Sequence, residues 1–172
     1  KCGRRERVNP ATIIKGVTVN CPTEAKSEIA RRNIDTIVDF FSVYLKDKAF
    51  FYSLWVEDDP EVVTPFVTDG VAVCHYGSHR GWDAVKAFWD PIHDEMIGRF
   101  DWFIDEIIVG EDPDVIVTKS NSAIDVEAGP TWGNRHVAYN GRYIQIFKFS
   151  GGKVKSFEEY YDTALLNAAY GA

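Results

Sequence analysis

The most regular polar and apolar pattern in the chain lies near its C-terminal end. After Gly151-Gly152, the stretch Lys153 to Asp162 places Val154, Ser156, Glu158 and Tyr160 on one side and Lys155, Phe157, Glu159 and Tyr161 on the other. This period of two predicts a strand. Phe100 to Val109, Val115 to Val126 and Arg135 to Phe149 read the same way, separated by turn chemistry at Glu111-Asp112-Pro113-Asp114 and Gly129-Pro130. Earlier in the chain the apolar period lengthens to that of a helix. Thr23 is placed to cap a helix beginning at Glu24, with Ile34, Ile37, Val38, Phe41, Tyr44 and Leu45 on its face. A short helix follows Asp47, with Phe50, Phe51, Leu54 and Trp55 as its stripe, and Glu57-Asp58-Asp59-Pro60 ends it. Glu61 to Val67 and Val71 to Tyr76 read as strands, and His75 to Gly81 reads as a loop. Trp82 to Met96 reads as a helix with Trp82, Val85, Phe88 or Trp89, Ile92 and Met96 on one face, which Pro91 should kink or restart. Asp162 to Tyr170 suits a closing short helix.

Helices followed by a meander of long strands predict an α+β fold, a curved antiparallel sheet with the helices packed on one face. Residues 1 to 22 mix charge, Gly and Pro with one apolar run, Thr12 to Val19, and read as an arm over the domain or over a neighbouring subunit. Residues 23 to 172 read as a single domain.

Composition narrows the function. With 172 residues, 45% hydrophobic and 26% charged, the chain suits one globular domain with a sizeable core. No window approaches the roughly 20 apolar residues of a membrane-spanning helix. A net charge of −7 argues against a general nucleic-acid binder, and the basic cluster Lys1, Arg4, Arg5, Arg7 falls in the arm. Cys2, Cys21 and Cys74 have no metal-ligand spacing, which suggests reduced thiols and a cytoplasmic location, and no signal-peptide core opens the sequence. At 14%, the aromatics suffice to line an apolar cavity as well as a core.

Within that pattern, Glu159 lies between Phe157 and Tyr161 on one face of the last strand. Buried there, its carboxyl would be raised in pKa and suited to carry a proton near neutrality; the competing reading leaves Glu158 and Glu159 facing water. His93, four residues after Trp89, is a candidate acid/base partner or a surface residue beside Asp94 and Glu95. Tyr139 is placed to donate to a developing oxyanion, and Arg142 to hold a substrate carboxylate or phenolate or to pair with a surface acid. Alternation puts those two on opposite faces. His75, His79 and His136 have no carboxylate or cysteine at ligand spacing, so no metal site is assigned. Cys74 lacks a neighbouring base and is not read as a nucleophile.

Several local sequences in this order resemble the cone-shaped superfamily that contains the SnoaL-like polyketide cyclases, ketosteroid isomerase, limonene epoxide hydrolase and scytalone dehydratase. The phenazine-biosynthesis A/B proteins are the most similar branch. The residues carrying the resemblance are Arg31-Arg32-Asn33, Leu54-Trp55-Val56-Glu57-Asp58, Arg80-Gly81-Trp82-Asp83-Ala84, Phe100-Asp101-Trp102, Glu111-Asp112-Pro113-Asp114, Tyr139-Asn140 with Tyr143-Ile144, and Gly152-Lys153 leading to Glu158-Glu159-Tyr160-Tyr161-Asp162. The resemblance implies helices plugging a curved sheet around an apolar pocket, a homodimer or higher homo-oligomer, and acid/base chemistry with no cofactor. It places Glu159 at the last-strand carboxylate. It also places Phe88 where the phenazine proteins carry a pocket histidine, Thr64 at the ketosteroid isomerase base, and Gln145 near that enzyme's neutral acid donor. Lys119 and Asn121 fall where the epoxide hydrolases carry an Arg/Asp pair. Asp101 falls where related enzymes place a histidine or acid, unless it caps its strand, and Tyr44 and Asp47 fall near the cone mouth, unless they are a packing tyrosine and a helix cap.

The expectation is therefore a cofactor-independent lyase, dehydratase or isomerase, retro-aldol cleavage included, acting on a bulky aromatic molecule, diaryl compounds included. Glu159 is its principal acid/base, with His93, Tyr139 and Asp101 assisting. Tyr44, Trp55, Thr64, Phe88, Trp89, Trp102, Arg142, Gln145, Phe157 and Tyr161 are the candidate substrate contacts. A phenazine-type condensing enzyme and a noncatalytic ligand-binding or dimer-forming module are the alternatives.

Overall fold

The structure, a computed structural model, describes residues 11–25, 27–66 and 72–170. Two short strands come first, β1 (Thr12–Ile14) and β2 (Val17–Val19), then α1 (Glu28–Val43) and α2 (Lys48–Ser53). Strands β3 (Glu61–Phe66) and β4 (Ala72–Arg80) precede α3 (Trp82–Glu95). The long strands β5 (Met96–Val109) and β6 (Val115–Ala128) lead through a 3-10 turn, Pro130–Trp132, into β7 (Arg135–Tyr139), β8 (Arg142–Ser150) and β9 (Lys153–Tyr161); α4 (Thr163–Ala169) closes the order. The strands form one curved, unclosed sheet in the order β1-β2-β5-β6-β8-β9-β3-β4, with β7 paired to the far end of β6. The fold is α+β, with α1 lodged in the hollow of the sheet. All pairings are antiparallel except β2 with β5 and β3 with β9.

Helix α1 starts at Ser27, whose Oγ accepts from the Ala30 amide at 3.1 Å, one turn later than a Thr23 cap would place it. Its second half is buried on nearly every side, because the sheet wraps it: Ile37, Val38, Phe40, Phe41 and Val43 all leave solvent. Phe40, fully buried, is the hub. Its ring lies 4.7 Å from Phe51, 5.1 Å from Phe157, 5.3 Å from Phe147 and 6.1 Å from both Trp55 and Trp89. Offset and edge-on packing of this kind stabilises beyond the area it buries.

Polar ties fix how deep α1 sits. Buried Asn33 donates to the Pro113 carbonyl (3.0 Å) and to Asp114 Oδ1 (2.8 Å), clamping the β5–β6 turn. Thr36 Oγ1 donates to the Gly152 carbonyl at 3.0 Å. Gly152 has φ +84, and a Cβ there would strike the Arg32 side chain, so the β8–β9 turn needs glycine for both conformation and space.

Four further expectations change. The run Thr12–Val19, expected as an overlying arm, is a hairpin whose second strand joins β5, with Val17 and Val19 buried in the core. The segment read as a loop from His75 is strand through Arg80: Ser78 and His79 pair with Val63 and Val62, and the polar run Gly77-Ser78-His79-Arg80 has no apolar side chain to mark a period of two. Pro91 lies inside an uninterrupted α3 and does not restart it. The span Arg135 to Phe149 is two strands, broken at Asn140-Gly141. The end of the β3 expectation at Val67 and the start of β4 at Val71 lie outside the described residues, as do Lys1, Cys2, Arg4, Arg5 and Arg7 and the side chains of Cys74 and His75. Among the described residues no helix is long and apolar enough to cross a membrane.

Replacing Phe40 with Ala is expected to cost about 3–5 kcal/mol, since the rings around it cannot collapse into the space. Urea unfolding of the two proteins measures the difference; a loss below about 1 kcal/mol would show that Phe40 is not the centre of the core.

Candidate active site

Beyond Phe40 the sheet and helices part. A cavity of about 420 Å³ opens between α3, the start of β5, β7 to β9 and α4. Its walls are mainly rings: Phe88 and Trp89 from α3, Phe100 and Trp102 from β5, Tyr44 just past α1, Tyr143 from β8 and Tyr161 from β9. The 3-10 turn contributes Trp132 and α4 contributes Leu166 and Tyr170. The Trp132 and Tyr170 rings stack 5.5 Å apart and tie the C-terminal helix across this side. Asp162 caps α4, its Oδ1 accepting from the Leu165 amide at 3.0 Å.

Glu159 faces this space, and a β-bulge sets its direction. Phe149 pairs with Val154, but Lys148 pairs with Ser156, so Lys155 is the extra residue. The shift brings Val154 onto the same face as Phe157, and from there Glu159 and Tyr161 continue on that inner face. Glu158 turns the other way and accepts from the Tyr160 hydroxyl.

Glu159 Oε1 accepts from Gln145 Nε2 at 3.1 Å. Gln145 is fully buried on β8, and its Oε1 accepts from Thr118 Oγ1 at 2.7 Å and Ser120 Oγ at 2.9 Å on β6. Two hydroxyl donors on the amide oxygen leave the amide nitrogen for the carboxyl. This polar strip crosses three strands inside an otherwise apolar wall. Burial disfavours the charged form of Glu159 and outweighs the Gln145 bond, so its pKa is pushed up to about 7. The same burial raises the tyrosines: Tyr44, Tyr143 and Tyr161 are all held above the ordinary phenol value, with the Glu159 charge as a further cause, and Tyr170 is pushed up to about 12. These phenols therefore remain O–H donors at neutral pH. Tyr143 Oη lies 2.9 Å from Ser122 Oγ and Tyr161 Oη 3.5 Å from Thr64 Oγ1.

Of the residues picked out from sequence, the structure brings Glu159, Tyr44, Phe88, Trp89, Trp102 and Tyr161 together on the cavity wall. His93 is elsewhere. It packs toward α2, with ring centres 4.5 Å from Phe51, 5.9 Å from Tyr44 and 6.1 Å from Tyr52, and its Nε2 is buried with no hydrogen-bond partner. Burial first, then the nearby Lys48 charge, lowers its pKa to about 4, so it stays neutral and does not partner Glu159. Asp101 alternates away from the inward Trp102 and lies 3.9 Å from Arg99 on the outer face. Tyr139 is buried behind the wall. Gly141 makes room for its ring beside Tyr143, since a Cβ there would collide with both. Arg142 is exposed opposite Asn121 and does not reach the cavity. Trp55 and Phe157 belong to the Phe40 cluster, Thr64 lies behind Tyr161, and Gln145 lies behind Glu159; none of these lines the cavity. Asp47 caps α2, accepting from the Phe50 amide at 2.9 Å. His79 stacks on Phe88 at 5.0 Å, and His136 bridges Glu127 (3.0 Å) and Asp125 (3.3 Å) on the outer face. Among the described residues no three ligating side chains converge as a metal site. Sequence reading did not assign Phe100, Trp132, Arg135, Tyr143 or Tyr170 to the site. Strand parity marks three of them, Phe100 with Trp102, Tyr143 with Phe147 and Arg135 with Tyr139, whereas Trp132 and Tyr170 left no such signal.

Residues 48–157 match the SnoaL-like domain family, a match that stops two residues before Glu159. No curated protein matches the chain. Among solved structures, a phenazine biosynthesis-related protein from Pseudomonas aeruginosa is 20% identical with TM-score 0.66, covering 86% of each chain. A protein described as a SnoaL-like polyketide cyclase from Jannaschia sp. CCS1 is 13% identical with TM-score 0.68, covering 87% of this chain and 98% of its own. The protein TerC, co-crystallised with polyporic acid, is 17% identical with TM-score 0.63, covering 82% of this chain and 99% of its own. At these identities the likeness shows the fold.

The raised carboxyl makes a stability prediction. Between about pH 4.5 and 7 folded Glu159 keeps a proton that the unfolded chain releases, so this group's contribution falls as pH rises through that window. Glu159→Gln removes the penalty. The variant should match the native protein near pH 4 and exceed it by on the order of 3 kcal/mol above pH 7. His93 acts oppositely, destabilising as pH falls from about 6.5 toward 4, but it does so in both proteins and cancels from the difference. Urea titrations at pH 4, 6 and 8 give the comparison, and a pH-independent difference would place the Glu159 carboxyl in water.

Proposed function

Because the chain belongs to the SnoaL-like domain family, we propose that it is an acid/base enzyme acting on a bulky aromatic small molecule, with Glu159 as the group that accepts and returns the proton. The observation that carries this reading is a carboxyl titrating near pH 7 in a cavity walled by aromatic rings. Such a group is charged often enough to remove a proton and protonated often enough to give one back.

The ionised Glu159 takes a proton from a carbon next to a carbonyl. The C–H electron pair moves into the carbon–carbon bond, and the carbonyl π pair shifts to oxygen. Tyr44, Tyr161 and Tyr170 are the phenols on the cavity wall that offer a donor for that oxygen, and their raised pKa values keep the proton on the phenol; the Tyr143 hydroxyl is bonded to Ser122 within the wall. Returning the proton to a different carbon gives isomerisation; delivering it to a departing hydroxyl gives dehydration. Gln145 positions the carboxyl and stabilises its ionised form, which limits how far burial raises the pKa. The apolar walls exclude water that would compete for the proton.

A condensing role like that suggested for phenazine-type relatives draws support from the Pseudomonas neighbour. Phe88 on the cavity wall, at the position the resemblance assigns to those proteins' pocket histidine, leaves Glu159 as the one carboxyl or imidazole among the described residues lining the cavity, and so as the proton carrier in that reading too.

Incubation with a panel of aryl ketones in D2O, followed by mass spectrometry, tests the assignment whatever the natural product is. The native protein should incorporate deuterium into at least one, and Glu159→Gln should reduce the rate about 10²–10⁴-fold while ligand binding is retained. Because the base form is required, kcat/KM for exchange should rise with pH and level off above about 7. Equal exchange by the variant would remove Glu159 from the chemistry.

A further inference from the structure

We infer that the ligand of this cavity carries a ring carboxylate, held at the rim by Arg135 while the ring system points inward toward Glu159. The inference rests on the reading of the cavity as a substrate site and specifies the chemistry of what enters it.

Arg135 opens β7, where side chains alternate. Val137 and Tyr139, two and four residues on, are 1% and 4% exposed, so Arg135 sits on the same concave face at the strand's open end. It lines the cavity beside Trp132 and Gly133 and remains exposed, which places it at the rim. Its guanidinium lies over Gly133: a Cβ on that residue, whose φ is +79, would come within 2.8 Å of Arg135 Nη2. The glycine thus permits the turn and clears the space the cation occupies.

A rim arginine with an internal partner would need no ligand. Among the described residues none has a carboxylate within ion-pair distance of Arg135. Acids on the neighbouring elements are engaged elsewhere: Glu95 accepts from the Thr131 amide and hydroxyl at 2.7 and 2.8 Å, and Asp125 and Glu127 face His136 on the outer side. Asp162 is occupied by the α4 cap.

Arg135 and Glu159 are also the only charged side chains among the described residues lining the cavity, and they differ in sign and depth. A carboxylate pushed inward would meet the Glu159 carboxyl in a poorly solvated space and raise its pKa further; the same carboxylate at the rim meets a planar, two-pronged donor. One orientation is therefore favoured, with the anion outward and the apolar rings inward among Trp89, Phe100 and Trp102. On a chain of net charge −7 the attraction for an anion is local to this edge.

Isothermal titration with 2-naphthoate and its neutral isostere 2-naphthamide tests this. The native protein is expected to bind the carboxylate at least about tenfold more tightly than the amide. Arg135→Gln should abolish that preference without weakening the amide, and Arg135→Lys should restore part of it. Equal affinity for the two probes, or a preference that survives in Arg135→Gln, overturns the assignment and leaves the apolar site standing. No binding of either probe overturns both this inference and the reading of the cavity as a substrate site.

Discussion

The constraint behind this site is the cost of keeping one carboxyl out of water. Glu159 is half-buried among rings that solvate a charge poorly, and its hydrogen bond comes from an amide that is itself fully buried. Had Gln145 nothing behind it, its own burial would be costly. Thr118 and Ser120 supply that backing from the next strand. The result is a carboxyl whose charged and neutral forms are nearly balanced at neutral pH, with its direction fixed by the register of three strands. Losing either hydroxyl would disturb Glu159 without touching it.

The rest of the fold keeps that strip in place and keeps one side of it open. Phe40 and its neighbours fill the hollow of the sheet up to Phe157, two residues before Glu159. Beyond that point the ring walls separate instead of interlocking, and α4 crosses the gap, held by the Trp132–Tyr170 stack. One strand therefore has its first half in the core and its second half on the cavity. The bulge at Lys155 keeps both halves facing inward.

Much of this architecture was legible from period alone. The long strands, α2 with its Asp47 cap, and α3 with Trp89 inward all follow from apolar spacing, and Glu159 was marked by having rings two residues to either side. What stayed hidden depended on tertiary context. His93 follows Ile92 on α3, and a rotation of about 100° per residue turns it toward α2 and away from the cavity. Asp101 was drawn to the site by its neighbours Phe100 and Trp102, yet alternation sends it outward. The break at Asn140-Gly141 does have a local signal, an Asn-Gly pair, but the period-two run on both sides outweighed it; Gly141 leaves room there for the Tyr139 and Tyr143 rings. Arg142 was singled out mid-strand beside Tyr139 and Asn140 and Arg135 went unmarked, although Arg135 shares the parity of Tyr139 and Arg142 does not. Trp132 and Tyr170 come together only through the fold.

The proposed chemistry stands on the protonation state of one side chain, and that can be observed directly. Carbon-13 NMR of the side-chain carboxyl carbons, assigned by comparison with Glu159→Gln, follows that carboxyl through a pH titration. A midpoint near pH 7 is predicted. A midpoint near 4.5, where an ordinary glutamate titrates, would mean that water reaches the group freely and would contradict the desolvated carboxyl on which proton transfer here depends.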